Sequence, residues 1–497
     1  MKLDKQNILF ITPLPPPMHG SAMVSQYIKG SELIRGEFEC DFVNLSTSRR
    51  IDEIGKGGAK KLLRFAGSFF LLFYKLLLHR YDLCYLAITC HGVGFLKDAP
   101  FVLLCKLFGR RIVIHQHNKG MSGCIGRWPY RCLIPYIYEH ARVILLSWHL
   151  YPDIAQAVKR EQVVICANGI LETENGKRKT ENGNLRASEC RSKVYFDYAE
   201  REQIQDAKEG LNEKGERRNQ KGERREENED ERLKAAEQQV NCDDSQVNVA
   251  SPRLNAAEQQ VNSDDSQVNA VLSRLGVNQS QGDDSPATPL RLTSSSAAIN
   301  RSEATSLTAH RSPLTVNLLF LSNLIPSKGV YVLLDACKIL KDCGLRFQCN
   351  FVGGESKEMD RRAFEEAVKE RGLEGCVLYH GPKYGEEKEH YWSMADVFVQ
   401  PTYEDCFPLT ILEAMQHALP VVSTDEGAVP DMVADGENGF VCRRKDAEGL
   451  AQALERLLQD EALRHRMGAE GYRRYKEKFT LSCFEHRFTE ILREMNG

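Results

Sequence analysis

The chain has 497 residues, 42% hydrophobic and 27% charged, with a formal net charge of −3. That length accommodates two or three domains with sizeable cores, and the near-neutral charge gives no global pull toward nucleic acid, so no nucleic-acid partner is expected. The 16 cysteines are scattered with no C-x-x-C pair, which reads as free thiols in a reducing compartment rather than a disulfide framework. No secretory leader precedes the first apolar run and no stretch approaches ~20 uninterrupted apolar residues, so a cytoplasmic chain is expected.

From the N-terminus, apolar runs predict strands at Ile8–Thr12, Asp41–Leu45, Leu83–Ile88, Arg111–His115, Arg142–Ser147 and Gln162–Cys166, with helical stretches between them. Between the second and third strands lies Lys60–Arg80, KKLLRFAGSFFLLFYKLLLHR. It is too interrupted to span a bilayer. Two readings stand: an outer helix of the first domain, or a membrane-surface helix whose Lys60, Lys61, Arg64, Lys75 and Arg80 face anionic headgroups. The fourth strand runs into His115 and His117, but an H-x-H pair without a third ligand is a poor metal site, so no metal is expected.

Residues 172–312 break this pattern. They are dominated by Glu, Gln, Asn, Asp, Ser, Lys and Arg, and their only aromatics are Tyr195, Phe196 and Tyr198. AAEQQVNCDDSQVN at Ala235–Asn248 returns 21 residues later as AAEQQVNSDDSQVN at Ala256–Asn269. Each unit carries too little apolar surface to offset its ordering entropy, so a disordered insertion is expected. Lengthening a loop from about 10 to about 140 residues adds only about 2 kcal/mol of closure cost, which two packed domains tolerate.

Alternation resumes with strands predicted at Thr315–Leu321, Phe347–Val352, Val377–Tyr379, Val397–Gln400, Pro420–Ser423 and Gly439–Cys442. Strands this apolar, separated by helices, imply parallel sheets covered on both faces, with ligands at their carboxyl ends. Two segments there carry chemistry. In LFLSNLIPSKGV (Leu319–Val330), Lys328 stands at a helix start, where its charge can meet a diphosphate. In EDCFPLTILEAMQHALPVV (Glu404–Val422), Asp405 and Glu413 lie eight positions apart, and Phe407-Pro408 opens a helix. Helix N–H groups attract phosphate, and a carboxylate can accept ribose hydroxyls at about 1.5–3 kcal/mol each.

These segments resemble the retaining glycosyltransferases of the GT4 group. The resemblance covers nearly all of residues 7–170 and 313–495 and implies a GT-B fold: two Rossmann-like domains facing across a cleft. Residues 1–171 would form the acceptor-side domain, 172–312 the insertion, 313–478 the nucleotide-sugar domain, and 479–497 a helix returning to the first domain. In the family, G-R-hydrophobic-x-x-x-K-G supplies arginine and lysine to the donor diphosphate; Lys328 matches here, while Asn323 holds the arginine position. The family's E-x7-E signature maps onto Asp405 and Glu413, the second acid holding the ribose and the first lying near the donor sugar; Glu404 is an alternative for the first. Phe407, Pro408 and Leu409 complete the donor side. Phe351–Glu355 (FVGGE) and Asp435–Phe440 (DGENGF) match in order. In the first domain, Ile8–Ala22 resembles the family's opening strand and glycine-bearing loop, placing Gly20 near the diphosphate and His19 toward the acceptor. His117 matches the active-site histidine facing the donor sugar, with Asn118 and Lys119 on the acceptor side, and Asn168-Gly169 closes the domain.

The resemblance implies transfer from a UDP- or GDP-sugar with retention, no bound metal, no cofactor and no protein nucleophile. The acceptor would be a glycan or lipid-linked glycan precursor, met at the inner face of the cell membrane. A nucleotide-sugar epimerase on the same fold and a catalytically silent nucleotide-sugar scaffold are the alternatives.

Overall fold

The computed structural model of the chain describes residues 5–16, 20–48, 58–173 and 315–496; the repeats and nearly all of the expected insertion lie outside them, as do His19 and the loop residues beside it. The first half contains β1 (Gln6–Thr12), α1 (Gly20–Gly30), α2 (Glu32–Glu37), β2 (Phe38–Asn44), α3 (Ala59–Leu78), β3 (Leu83–Leu86), α4 (Gly92–Leu107), β4 (Ile112–Gln116), α5 (Tyr130–Tyr138), β5 (Arg142–Leu145) and β6 (Val163–Ile165). The second half contains β7 (Val316–Leu321), α6 (Val330–Asp342), β8 (Phe347–Val352), α7 (Arg361–Glu370), β9 (Val377–Tyr379), α8 (Gly385–Met394), β10 (Val397–Gln400), α9 (Leu409–Gln416), β11 (Val421–Thr424), β12 (Gly439–Cys442), α10 (Ala447–Gln459), α11 (Glu461–Lys478) and α12 (Leu481–Asn496).

Each half forms a six-stranded parallel sheet, ordered β2-β1-β3-β4-β5-β6 and β12-β11-β10-β7-β8-β9. All twelve predicted strands are present. The second begins earlier than expected, at Phe38, because α2 ends directly before it and β2 pairs with β1 along its whole length, from Gln6↔Phe38 to Thr12↔Asn44. β1 shows why these runs are strands covered on both faces. Ile8 and Phe10 join one buried cluster while Leu9 and Ile11 join another, the period-2 alternation of a strand.

The first of those clusters is closed by α12. Phe484, Phe488, Ile491 and Leu492 are buried against Ile8, Phe10 and Tyr85. The Phe488 ring lies edge-on to Tyr85 at 5.4 Å and stacked on His115 at 6.1 Å. At about 1.5–3 kcal/mol per fully buried apolar side chain, this is a large contribution from a C-terminal segment. The chain crosses back beside the end of the first half. Ile170 N–H donates to Phe479 O (3.1 Å), and Leu481 N–H donates to Ile170 O (2.8 Å). A Cβ on Gly169 would strike the Thr480 carbonyl, so the close passage needs glycine there.

Helix α3 is amphipathic in an unusual sense. Phe65, Phe69, Leu72 and Leu76 face the domain, with both phenylalanine rings set edge-on to Phe101. Leu62, Leu63, Phe70, Tyr74, Leu77 and Leu78 are more than half exposed. No described helix is long and apolar enough to cross a membrane.

Candidate active site

Strand order changes direction between β1 and β3 in the first sheet and between β7 and β10 in the second. Loops leaving the carboxyl ends of such strand pairs diverge and open a crevice. In the second half those are the loops after β7 and β10, and they carry the two expected donor-side motifs. They are fastened together: Tyr403 N–H donates to Ser327 O at 2.9 Å, and Thr402 Oγ1 to the same carbonyl at 3.2 Å. Gly329 has φ +90, and a Cβ there would collide with Pro401 O, so both its conformation and its contact demand glycine. Lys328 is thereby held against the neighbouring loop. Its Nζ lies 2.6 Å from Asp405 Oδ2 and donates to Glu404 O at 3.3 Å. Of the two acids considered for the first signature position, Asp405 is the one that meets the lysine through its carboxylate.

Behind Asp405, Phe407 and Pro408 are buried and half-buried Leu409 starts α9, which has no side-chain cap. Glu413 lies one turn along, and its Oε2 is 2.8 Å from Lys388 Nζ on α8, each side chain 23% exposed. Lys388 did not emerge from the sequence. It is 25 positions from its partner and belongs to no motif, and only the packing of α8 beside α9 brings the two together. Next to them, His417 Nε2 lies 3.0 Å from the accepting Glu389 carboxylate, and its ring stacks on the buried Trp392. Asn323, in the position where arginine was expected, turns its side chain to the backbone: Oδ1 accepts Gly354 N–H at 2.9 Å, bracing the Gly353-Gly354 turn.

In the first half, β4 leads into His117, Asn118 and Lys119. His115 is fully buried, hydrogen-bonded through Nδ1 to the Tyr85 hydroxyl (2.7 Å), and its ring lies tilted against that of His117 with centroids 4.0 Å apart. Burial, and then the neighbouring His117, hold His115 well below the usual histidine pKa, so it is neutral near pH 7. His117 is half-buried. Asn118 Oδ1 accepts Cys90 N–H at 2.9 Å. Lys119 turns to the second half, where its Nζ pairs with Glu426. Gly20 is the first residue of α1, and among the described residues a Cβ there would meet nothing within 4 Å beyond its chain neighbours and its own helix backbone. A cavity of about 880 Å³ opens here at the carboxyl ends of β1, β3 and β4, lined by Leu45, Lys61, Phe65, Val93, Lys97 and His117 among others.

Cys406 lies next to Asp405, but burial pushes its thiol up to about 12, and burial raises Cys90 as well. Neither supplies a thiolate near neutral pH. Among the described residues no three His, Cys, Asp or Glu side chains cluster so as to hold a metal ion. The second sheet therefore presents a cation–carboxylate pair at its switch point, with a further carboxylate one helix turn behind. That is an arrangement for an anionic, hydroxyl-bearing ligand.

Comparison with known proteins bears on the fold that carries this arrangement. Residues 314–474, within the second half, match the family described as glycosyl transferases group 1. Amylovoran biosynthesis glycosyltransferase AmsK of Erwinia amylovora is 32% identical over 153 residues, covering 30% of this chain and 37% of the relative. The chain thus spans a little over a third of that curated relative's length. Among solved structures, sucrose-phosphate synthase of Thermosynechococcus elongatus aligns over 99% of both chains with TM-score 0.57 and 15% identity. Anabaena Alr3699/HepE in complex with UDP aligns over 98% of this chain and 100% of that one, with TM-score 0.56 and 13% identity. At these identities the structures establish the shared fold, GT-B.

Proposed function

We propose that the chain is a retaining, metal-independent glycosyltransferase of the GT4 type, moving a sugar from a UDP- or GDP-sugar to a glycan or lipid-linked glycan acceptor. The observation that carries this is the meeting of Lys328 and Asp405 at the switch point of the domain that matches group 1 glycosyl transferases. AmsK, a relative of that domain, is named as an amylovoran biosynthesis glycosyltransferase, and a structure of the same fold holds UDP. In this reading the donor diphosphate lies between Lys328 and the N-terminal N–H groups of α9. There fixed positive charge stabilises the leaving nucleoside diphosphate, as a divalent ion would elsewhere. Glu413, braced by Lys388, accepts the ribose hydroxyls. His117 faces the sugar from the other half, and the acceptor enters through the cavity beside it, past Asn118. The acceptor hydroxyl attacks C1 on the face the phosphate leaves. The C1–O bond to phosphate breaks, the C1–O bond to acceptor forms, and the departing phosphate takes the proton.

Helix α3 supports a membrane-facing acceptor. Its Lys61 and Phe65 line the cavity, while its exposed Leu63, Phe70 and Leu77, with Lys60 and Arg80 exposed near its ends, suit an anionic lipid surface. Co-sedimentation with anionic but not neutral liposomes is the expected result. Absence of binding to either would remove the membrane from the reading.

The deciding experiment is nucleoside diphosphate release from UDP-, GDP- and ADP-sugars in EDTA, comparing wild type with Glu413→Gln. Release from one donor, weakened by the substitution and stimulated by a membrane lipid extract, is expected. Nucleotide binding without any release would point instead to the silent scaffold, and conversion of the donor sugar without transfer to an epimerase.

A further inference from the structure

The loop after β11 carries Glu426, whose side chain is 1% exposed. A carboxylate this deeply buried is costly unless paired and hydrogen-bonded, and Glu426 is held from three directions. Its Oε1 accepts the Asp405 backbone N–H at 3.2 Å, and its Oε2 lies 3.0 Å from Arg444. The third partner is Lys119, which comes from the other sheet, two residues beyond His117. The loop is also pressed onto the peptide chain around Asp405. Ala428 N–H donates to Cys406 O at 2.8 Å, and Gly427, at φ +56, leaves no room for a Cβ against the carbonyls of Asp405 and Cys406.

We propose that Lys119 and Glu426 form a latch across the cleft, coupling the His117 loop of one half to the backbone of Asp405 in the other. Both are positioning residues. With the halves together, Lys119 neutralises Glu426, and Glu426 fixes the peptide that aims the Asp405 carboxylate and, through it, Lys328. The consequence for turnover rests on the transferase reading; the coupling itself does not.

Two measurements on the full chain separate these. Hydrogen exchange of Lys119→Met should rise about tenfold both at residues 117–121 and, across the cleft, at 404–406, while Lys119→Arg stays near wild type. Faster exchange confined to 117–121 overturns the latch, since Lys119 would then serve its own loop alone. In turnover, Lys119→Met should lower kcat at least tenfold with the donor KM within twofold, and Lys119→Arg should recover most of it; Glu426→Gln should fall in the same way. Turnover of Lys119→Met within twofold of wild type also overturns the proposal. If wild type releases nucleotide from no donor, the transferase reading fails, and the exchange pattern alone decides the latch.

Discussion

The two sheets share size, parallel order and a central switch point, yet their carboxyl ends are finished in opposite ways. The second ends in ion pairs: Lys328 with Asp405, Lys388 with Glu413, and Arg444 with Glu426. The first ends in an open cavity of mixed lining, with Leu45, Phe65 and Val93 beside Lys61, Lys97 and His117, and is flanked by a helix whose outer face is apolar. Under the proposed reading the difference is chemical. One half holds a ligand of constant character, a nucleoside diphosphate, with fixed charges; the other admits an acceptor into an open cavity of mixed polar and apolar lining. The same scaffold serves both because the strands set position and only the loops after them set chemistry.

The largest expected effect tests what the halves share, the C-terminal helix that returns from one to the other. Phe488→Ala should cost about 3–5 kcal/mol in denaturant unfolding, as for other large buried rings. A loss below about 1 kcal/mol would mean that α12 docks loosely. Next comes the charged end. Lys328→Ala should lower donor kcat/KM about 100- to 1000-fold, the loss of about 2.7–4 kcal/mol typical of a removed transition-state charge contact. An unchanged value would erase the contrast between the sheets. The apolar end is tested by Leu63→Asp with Phe70→Asp, two positions 73% and 67% exposed. Liposome binding should fall at least tenfold with the unfolding midpoint unchanged, since neither side chain is part of the core. A drop in stability would return α3 to the role of an ordinary outer helix.

A smaller effect comes from His115. Its pKa is depressed in the folded chain, so the unfolded state binds the extra proton first. Stability is then full above the unfolded value of about 6.5 and declines as pH falls below it, by up to about 1.4 kcal/mol per unit. Urea unfolding between pH 7.5 and 5 should show this slope, and His115→Phe should flatten it. Smallest of all, deleting residues 175–310 should leave donor turnover largely intact; complete loss in a folded deletion variant would give the segment a role in catalysis.

Much of the fold was legible because parallel strands buried on both faces must be nearly continuous apolar runs. Most of the twelve strands announce themselves that way, although the edge strand β2 carries Glu39 and Asp41 and is mostly not buried, and the glycines at 169 and 329 mark places where backbones touch. The pairing of Lys328 with Asp405 was half legible: each motif points to a donor, but their contact depends on β7 and β10 being neighbours. Asn323 shows the reverse case, where a motif position filled by another residue takes up a backbone task that its residue type suits.

Local sequence thus decides the strands, the helix starts and the chemical kind of each loop, because periodicity and backbone constraint act over a few residues. Lys388 beside Glu413, Lys119 beside Glu426 and the cavity under α3 were decided by tertiary structure alone. Each depends on which helices and loops lie next to one another at the carboxyl ends of the two sheets, and no short-range pattern encodes contacts between residues 25 or 307 positions apart.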